Sequence, residues 1–148
     1  MDDMTEAMLY AAARAQHVAQ VIRPALSAGK IVICDRFVDS SIAYQGYGRG
    51  LGEAVSVIND YAVCGCLPDV TFLMKMDPRV GRRRINVQQQ DRLEREKDDF
   101  HVRTYEGYLE LEKKYPGRIV GIDAARSIEE IKIDIYKKLE EVLKGVTE

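Results

Sequence analysis

The chain alternates between stretches whose apolar residues recur every three to four positions and short runs that are apolar throughout. The first pattern predicts amphipathic helices, the second buried strands. An alanine-rich helix is expected from Thr5, which can cap it, to about Ser27, with Glu6 in its first turn and Gly29 as its stop. Pro24 should kink or shorten its last turn. Strands are predicted at 30–34, 70–76 and 118–122, with helices at 40–44, 53–64, 78–85 and 94–115. A final helix starts at Ser127, with Glu130 completing a capping box, and its spacing is expected to bury Ile128, Ile131, Ile135, Leu139 and Val142. Strands separated by helices imply right-handed βαβ crossovers, hence an α/β fold with a parallel sheet and helices on both faces.

With 148 residues and 46% hydrophobic content, a single domain over 1–148 with its own core is expected. A net charge of −2 argues against nonspecific nucleic-acid binding, although Gly81 to Arg84 form a local basic cluster. Cys34, Cys64 and Cys66 are an odd set without metal-ligand spacing, so buried inert thiols are the expected reading. The longest strictly apolar run, residues 7–13, is too short for a membrane span, and the acidic start is no signal peptide; a cytoplasmic location is expected.

The most informative stretch is KIVICDRFVDSSIAYQG, residues 30–46. An apolar run ending in Asp35 and Arg36 would deliver charges to the carboxyl edge of a sheet, where α/β folds bind ligands. Phosphoryl transfer depends mainly on alignment and on cations that neutralise phosphate oxygens. Arg36, with its bidentate fork, suits an acceptor phosphate. Asp35 has the form of a Walker B carboxylate and could reach Mg²⁺ directly or through water. Tyr10 and Arg14, four residues apart, share a helix face, and an aromatic plane beside a guanidinium can read a pyrimidine. Gly46, Gly48, Arg49, Gly50 and Gly52 lack a dinucleotide-binding fingerprint and are read as turn formers.

This stretch resembles the signature of bacterial thymidylate kinases. The likeness continues in order through EAMLYAAARAQHV upstream and GRGLG, LPDVTFLMKMDPRVGRRR and DRLE downstream, covering nearly the whole chain. It implies a P-loop nucleoside monophosphate kinase-like fold that converts dTMP and MgATP to dTDP and ADP in dTTP synthesis, as a homodimer. It assigns base stacking to Tyr10, usually phenylalanine in the family, and recognition of the pyrimidine 4-carbonyl to Arg14. Ser41 and Gln45 would bond the base, Tyr44 would lie beneath the sugar and disfavour a 2′-hydroxyl, and Arg36 would hold the acceptor phosphate. Arg82, Arg84 and Arg92 would belong to a lid over ATP at about 82–94, with Arg92 catalytic beside Asp35 and Arg36. Which of Arg82 and Arg84 points inward stays open. Glu94 would help position the acceptor or the metal, and Arg126 falls where the family contacts adenine.

One element of the family pattern is missing. The only Gly-Lys pair, Gly29-Lys30, has Pro24 and Ile31 at the remaining positions of GxxxxGK[ST], so the sequence contains no P-loop. In the family, the P-loop strand lies between those matching 30–34 and 70–76. The sheet is therefore expected to have a gap, filled by a longer chain, a separate polypeptide or a swapped neighbour, and this chain alone could be inactive. The rival reading is a noncatalytic nucleotide-binding or dimerisation fragment.

Overall fold

The computed structural model describes residues 1–82, 93 and 95–147. They form an α/β arrangement, rich in helix, whose chain divides into two compact units: Met1–Leu67 with Lys97–Tyr108, and Pro68–Glu96 with Leu109–Glu148.

The first unit opens with α1, Asp3–His17. Its cap is Asp2 rather than the expected Thr5: the Asp2 carboxylate accepts from the backbone N–H groups of Met4 and Thr5 at 3.0 and 3.1 Å. A carboxylate suits the positive end of the helix as well as its unpaired donors. The helix continues through a π turn, Val18–Ile22, into α2, Arg23–Ser27. A proline ring clashes with the carbonyl four residues before it. The widened turn lies where Pro24 would meet the Gln20 carbonyl, which gives the expected kink a specific form. Val18 and Ile22 pack with Val38 and Val63, and with the half-buried Val32, Phe37 and Cys66, into a buried cluster.

Residues 30–34 correct the sequence reading. They form no strand, and Ile31 and Ile33 are 73% and 94% exposed. A hydrophobic run can specify the extended backbone, but a strand exists only when a neighbour completes its hydrogen bonds. Cys34 and Cys64 are also exposed, and Cys66 half-buried, so these thiols are not the buried set expected from composition.

Next come α3, Val38–Ser41, a π turn over Ile42–Gly48, and α4, Glu53–Val63. Gly50 and Gly52 have φ of 74° and 62°, which bears out a turn-forming role for these two. Gly48 serves a different purpose. A Cβ there would stand 2.6 Å from Thr104 Oγ1 and 2.7 Å from Phe100 Cε2, so its hydrogen lets the chain press against α6, Asp98–Lys114.

In the second unit, β1, Thr71–Lys75, pairs in parallel with β2, Ile119–Asp123, in register from Thr71 opposite Ile119 to Lys75 opposite Asp123. Lys75 reaches the Glu112 carboxylate at 2.9 Å. Helix α5 covers Pro78–Arg82, and α7 covers Ile128–Thr147. The capping box forms as expected: Ser127 N–H donates to Glu130 Oε2 at 3.0 Å, and Glu130 N–H donates to Ser127 Oγ at 3.4 Å. Ile131, Ile135, Leu139 and Val142 are half-buried, but Ile128 is 81% exposed. Helical spacing identifies a stripe, whereas the first turn projects beyond what the stripe covers.

Candidate functional site

In the first unit Arg14 meets Ser41, Arg36 lies against Tyr44 with Asp35 next in sequence, Gln45 meets Glu6, and Tyr10 stands one turn before Arg14 on α1. Arg14 extends from α1 to acceptors on other segments. Its Nη1 donates to Asn59 Oδ1 on α4, and its Nη2 donates to Ser41 Oγ at 2.9 Å and to the Phe37 carbonyl at 3.3 Å. The guanidinium also lies 5.6 Å from the centre of the Phe37 ring. Burial lowers the Arg14 pKa, with Cys34 opposing the shift. Of the five guanidinium N–H groups, Nε–H and one on Nη1 are left over from these bonds to meet a carbonyl. Tyr10 is 43% exposed, so its ring can receive a flat ligand.

Arg36 occupies the left-handed backbone region, with φ of 62°. A non-glycine residue there is strained by its Cβ and stays only where its surroundings hold it. Its guanidinium lies over the Tyr44 ring, 5.0 Å from the centroid. Burial opposes its charge, but Tyr44, Tyr108 and Asp35 outweigh that and move its pKa upward. Tyr44 in turn meets Phe100 and Tyr108 edge-on, with centroids 5.9 and 6.3 Å away. The strand-end arginine is thus carried on an aromatic group from the π turn and α6, rather than by a sheet.

Tyr108 completes this group, with its hydroxyl 2.8 Å from Ser40 Oγ. Burial pushes its pKa up to about 12, only partly offset by the Ser40 hydrogen bond. The folded chain therefore keeps the phenol protonated where the unfolded chain, at about 10, releases the proton. Stability from this residue is complete below pH 10 and falls as pH rises toward about 12. The loss should approach roughly 2–3 kcal/mol. Urea midpoints compared at pH 9 and about 11.5 should show it, and Tyr108→Phe should remove that part of the pH dependence.

Gln45 is buried, and its Nε2 donates to Glu6 Oε1 at 2.8 Å. Arg49 reaches Glu6 Oε2 at 3.4 Å and Asp3 Oδ1 at 3.3 Å, and lies 4.9 Å from the centre of the Phe100 ring. Sequence reasoning missed Glu6, Asn59 and the charge role of Arg49. Glu6 had a signal, since it lies four residues before Tyr10 and eight before Arg14 on one helix face. Asn59 had none; its importance comes from being 2% exposed within a helix remote in sequence.

Asp35 is exposed beside Arg36. Among the described residues, no group of three or more His, Cys, Asp or Glu side chains converges as a metal cage. A single carboxylate fits Mg²⁺, which is commonly held by one or two carboxylates together with substrate phosphates and water. In the second unit, Arg126 precedes α7 and bonds the Asp134 carboxylate. The side chain of Arg82, and Arg84, Arg92 and Glu94, lie outside the described residues.

The family model for thymidylate kinase matches residues 1–135. Thymidylate kinase of Lactobacillus helveticus is 52% identical over 147 residues, covering 97% of this chain and 69% of that protein. Those of Halalkalibacterium halodurans and Lactobacillus acidophilus are 47% and 48% identical, again over 97% of this chain and over 70% and 68% of their own lengths. The ordered motifs, the parallel strand pair and these relatives agree: the chain belongs to the thymidylate kinase family, enzymes of the nucleoside monophosphate kinase class.

Proposed function

We propose that the first unit is the dTMP site of a kinase that transfers the terminal phosphoryl group of MgATP to dTMP. The observation that carries this reading is the placement of Arg14: its guanidinium is fixed by three acceptors with N–H groups to spare, one turn from the exposed ring of Tyr10. A thymine stacked on Tyr10 would present its 4-carbonyl to Arg14, whereas cytosine has an amine there and would leave a donor facing a donor. The Gln45 amide nitrogen is committed to Glu6, so its oxygen is the end suited to accept from the base N3–H. Tyr44 lies beneath the sugar, and Arg36 grips the acceptor phosphate.

Mg²⁺, accompanying the nucleotide phosphates, would be held on the protein side by Asp35 and would neutralise charge on the oxygens around the transferred phosphorus. By family resemblance, Arg92 with Arg82 or Arg84 is assigned to the phosphates of ATP, Glu94 to the acceptor and Arg126 to the adenine. The exposed Ile31 and Ile33 support a further strand docking beside 30–34 to bring a P-loop to the site. The enzyme works as a cytoplasmic homodimer; among the described residues, no helix is long and apolar enough to cross a membrane.

Calorimetric titration of dTMP tests the pocket. The Tyr10→Ala, Arg14→Ala double variant should lose about 100-fold in affinity, combining a stacking contact with a hydrogen bond from a charged donor. Equal binding by the double variant and the parent chain would overturn the assignment.

A further inference from the structure

We infer that Asn59 is a positioning residue for pyrimidine selection, acting from behind Arg14; this rests on the reading of Arg14 as the group that meets the base. Asn59 is 2% exposed on α4, and its amide has no rotational choice. Its Nδ2 donates to the Val55 carbonyl at 2.7 Å, which can only accept, and its Oδ1 accepts a hydrogen bond from Arg14 Nη1, which can only donate. Rotating the amide by half a turn would oppose like groups at both ends, so the oxygen must face Arg14. The buried face of α4 thereby sets one branch of the guanidinium while Ser41 and the Phe37 carbonyl set the other.

An arginine side chain held at a single point can swing among rotamers and meet either a carbonyl or, through water, an amine. Fixed from two sides, its remaining N–H groups keep one direction, and the selection between a 4-carbonyl and a 4-amine becomes strict. Asn59 touches no substrate in this scheme; it decides how narrowly Arg14 can choose.

Two conservative substitutions separate this role from simple support of α4. Asn59→Ser keeps a hydroxyl able to bond back to the Val55 carbonyl but is too short to reach Arg14. Asn59→Asp keeps an acceptor for Arg14 and sets a second oxygen against the Val55 carbonyl, which should lower the melting temperature. Titration of dTMP and dCMP should show the preference for dTMP falling about tenfold or more in Asn59→Ser and staying within about threefold of the parent in Asn59→Asp. Selectivity and stability would then move in opposite directions. If Asn59→Ser keeps the preference while Arg14→Ala loses it, or if the preference follows the melting temperature across both Asn59 variants, the positioning role is wrong and the reading of Arg14 survives. If Arg14→Ala itself keeps the preference, that reading fails and the role of Asn59 falls with it. Should Asn59→Ser not fold, Asn59→Asp decides alone: a retained preference supports the role and a lost one overturns it.

Discussion

Arg36→Ala should reduce phosphoryl transfer from MgATP to dTMP by about 10²–10³-fold, the usual consequence of removing one preorganised donor from a developing anionic centre. ADP release by the purified chain, with any strand that completes its site, is the direct measurement. The guanidinium is held over Tyr44 with Asp35 adjacent, so it does not have to be organised at the moment of reaction. Lysine cannot restore the fork, and Arg36→Lys should recover only a small part of the rate. The backbone supplies a second criterion. Arg36 has a φ of 62°, and alanine retains the Cβ that makes this conformation unfavourable, whereas glycine does not. Arg36→Gly should therefore be as inactive as Arg36→Ala while unfolding at higher urea by roughly 1 kcal/mol. A residue retained for an ion pair within the fold would lose stability in both variants. Inactivity combined with increased stability identifies strain kept for chemistry. Unchanged ADP release in Arg36→Ala would remove the phosphate grip from the mechanism.

The parts of the fold legible in the sequence were those whose physics is local. The Ser127 and Glu130 capping box needs only three residues of spacing, and it forms with both reciprocal hydrogen bonds. The strand pair 71–75 and 119–123 follows from short apolar runs between helices. Residues 30–34 are comparably apolar and form no strand, because pairing depends on a partner that local composition does not specify. The candidate site divides in the same way. Arg14, Ser41, Tyr44 and Gln45 stand out through motif spacing; Arg14 bonds Ser41, while Tyr44 meets Arg36 and Gln45 meets Glu6. Their supports were not visible: Asn59 reads as an ordinary polar residue in a helix, Tyr108 as one tyrosine of a long helix, and Arg49 as part of a glycine-rich turn. Each acquires its role from burial against segments tens of residues away, which periodicity does not report.

Glu6→Ala should destabilise the chain by about 3–5 kcal/mol, the range for removing one partner from a buried charged pair. Glu6 is 2% exposed, with Gln45 bonded to one carboxylate oxygen and Arg49 reaching for the other. Without the carboxylate, the Gln45 amide loses its buried acceptor, and Arg49, whose side chain is 12% exposed, keeps only the weaker claim of Asp3 among these contacts. Asp3 is 47% exposed, so its attraction is screened by water, and Asp3→Ala should change stability by less than about 1 kcal/mol. Glu6→Gln preserves an acceptor but not the charge, and should fall between the two. The informative comparison is Glu6→Leu with and without Arg49→Met. Alone, Glu6→Leu should be nearly as damaging as alanine, because its added apolar volume does not replace the carboxylate that Arg49 and Gln45 both contact. Together, the two substitutions remove both charges of the pair and fill the space with carbon, and a buried ion pair replaced in this way is often neutral in stability. Denaturant midpoints for the four proteins give the coupling directly. A double variant as unstable as Glu6→Leu would show that the loss comes from Gln45, not from Arg49. Recovery in the double variant would show that Glu6 stabilises the fold chiefly by holding the Arg49 cation in place.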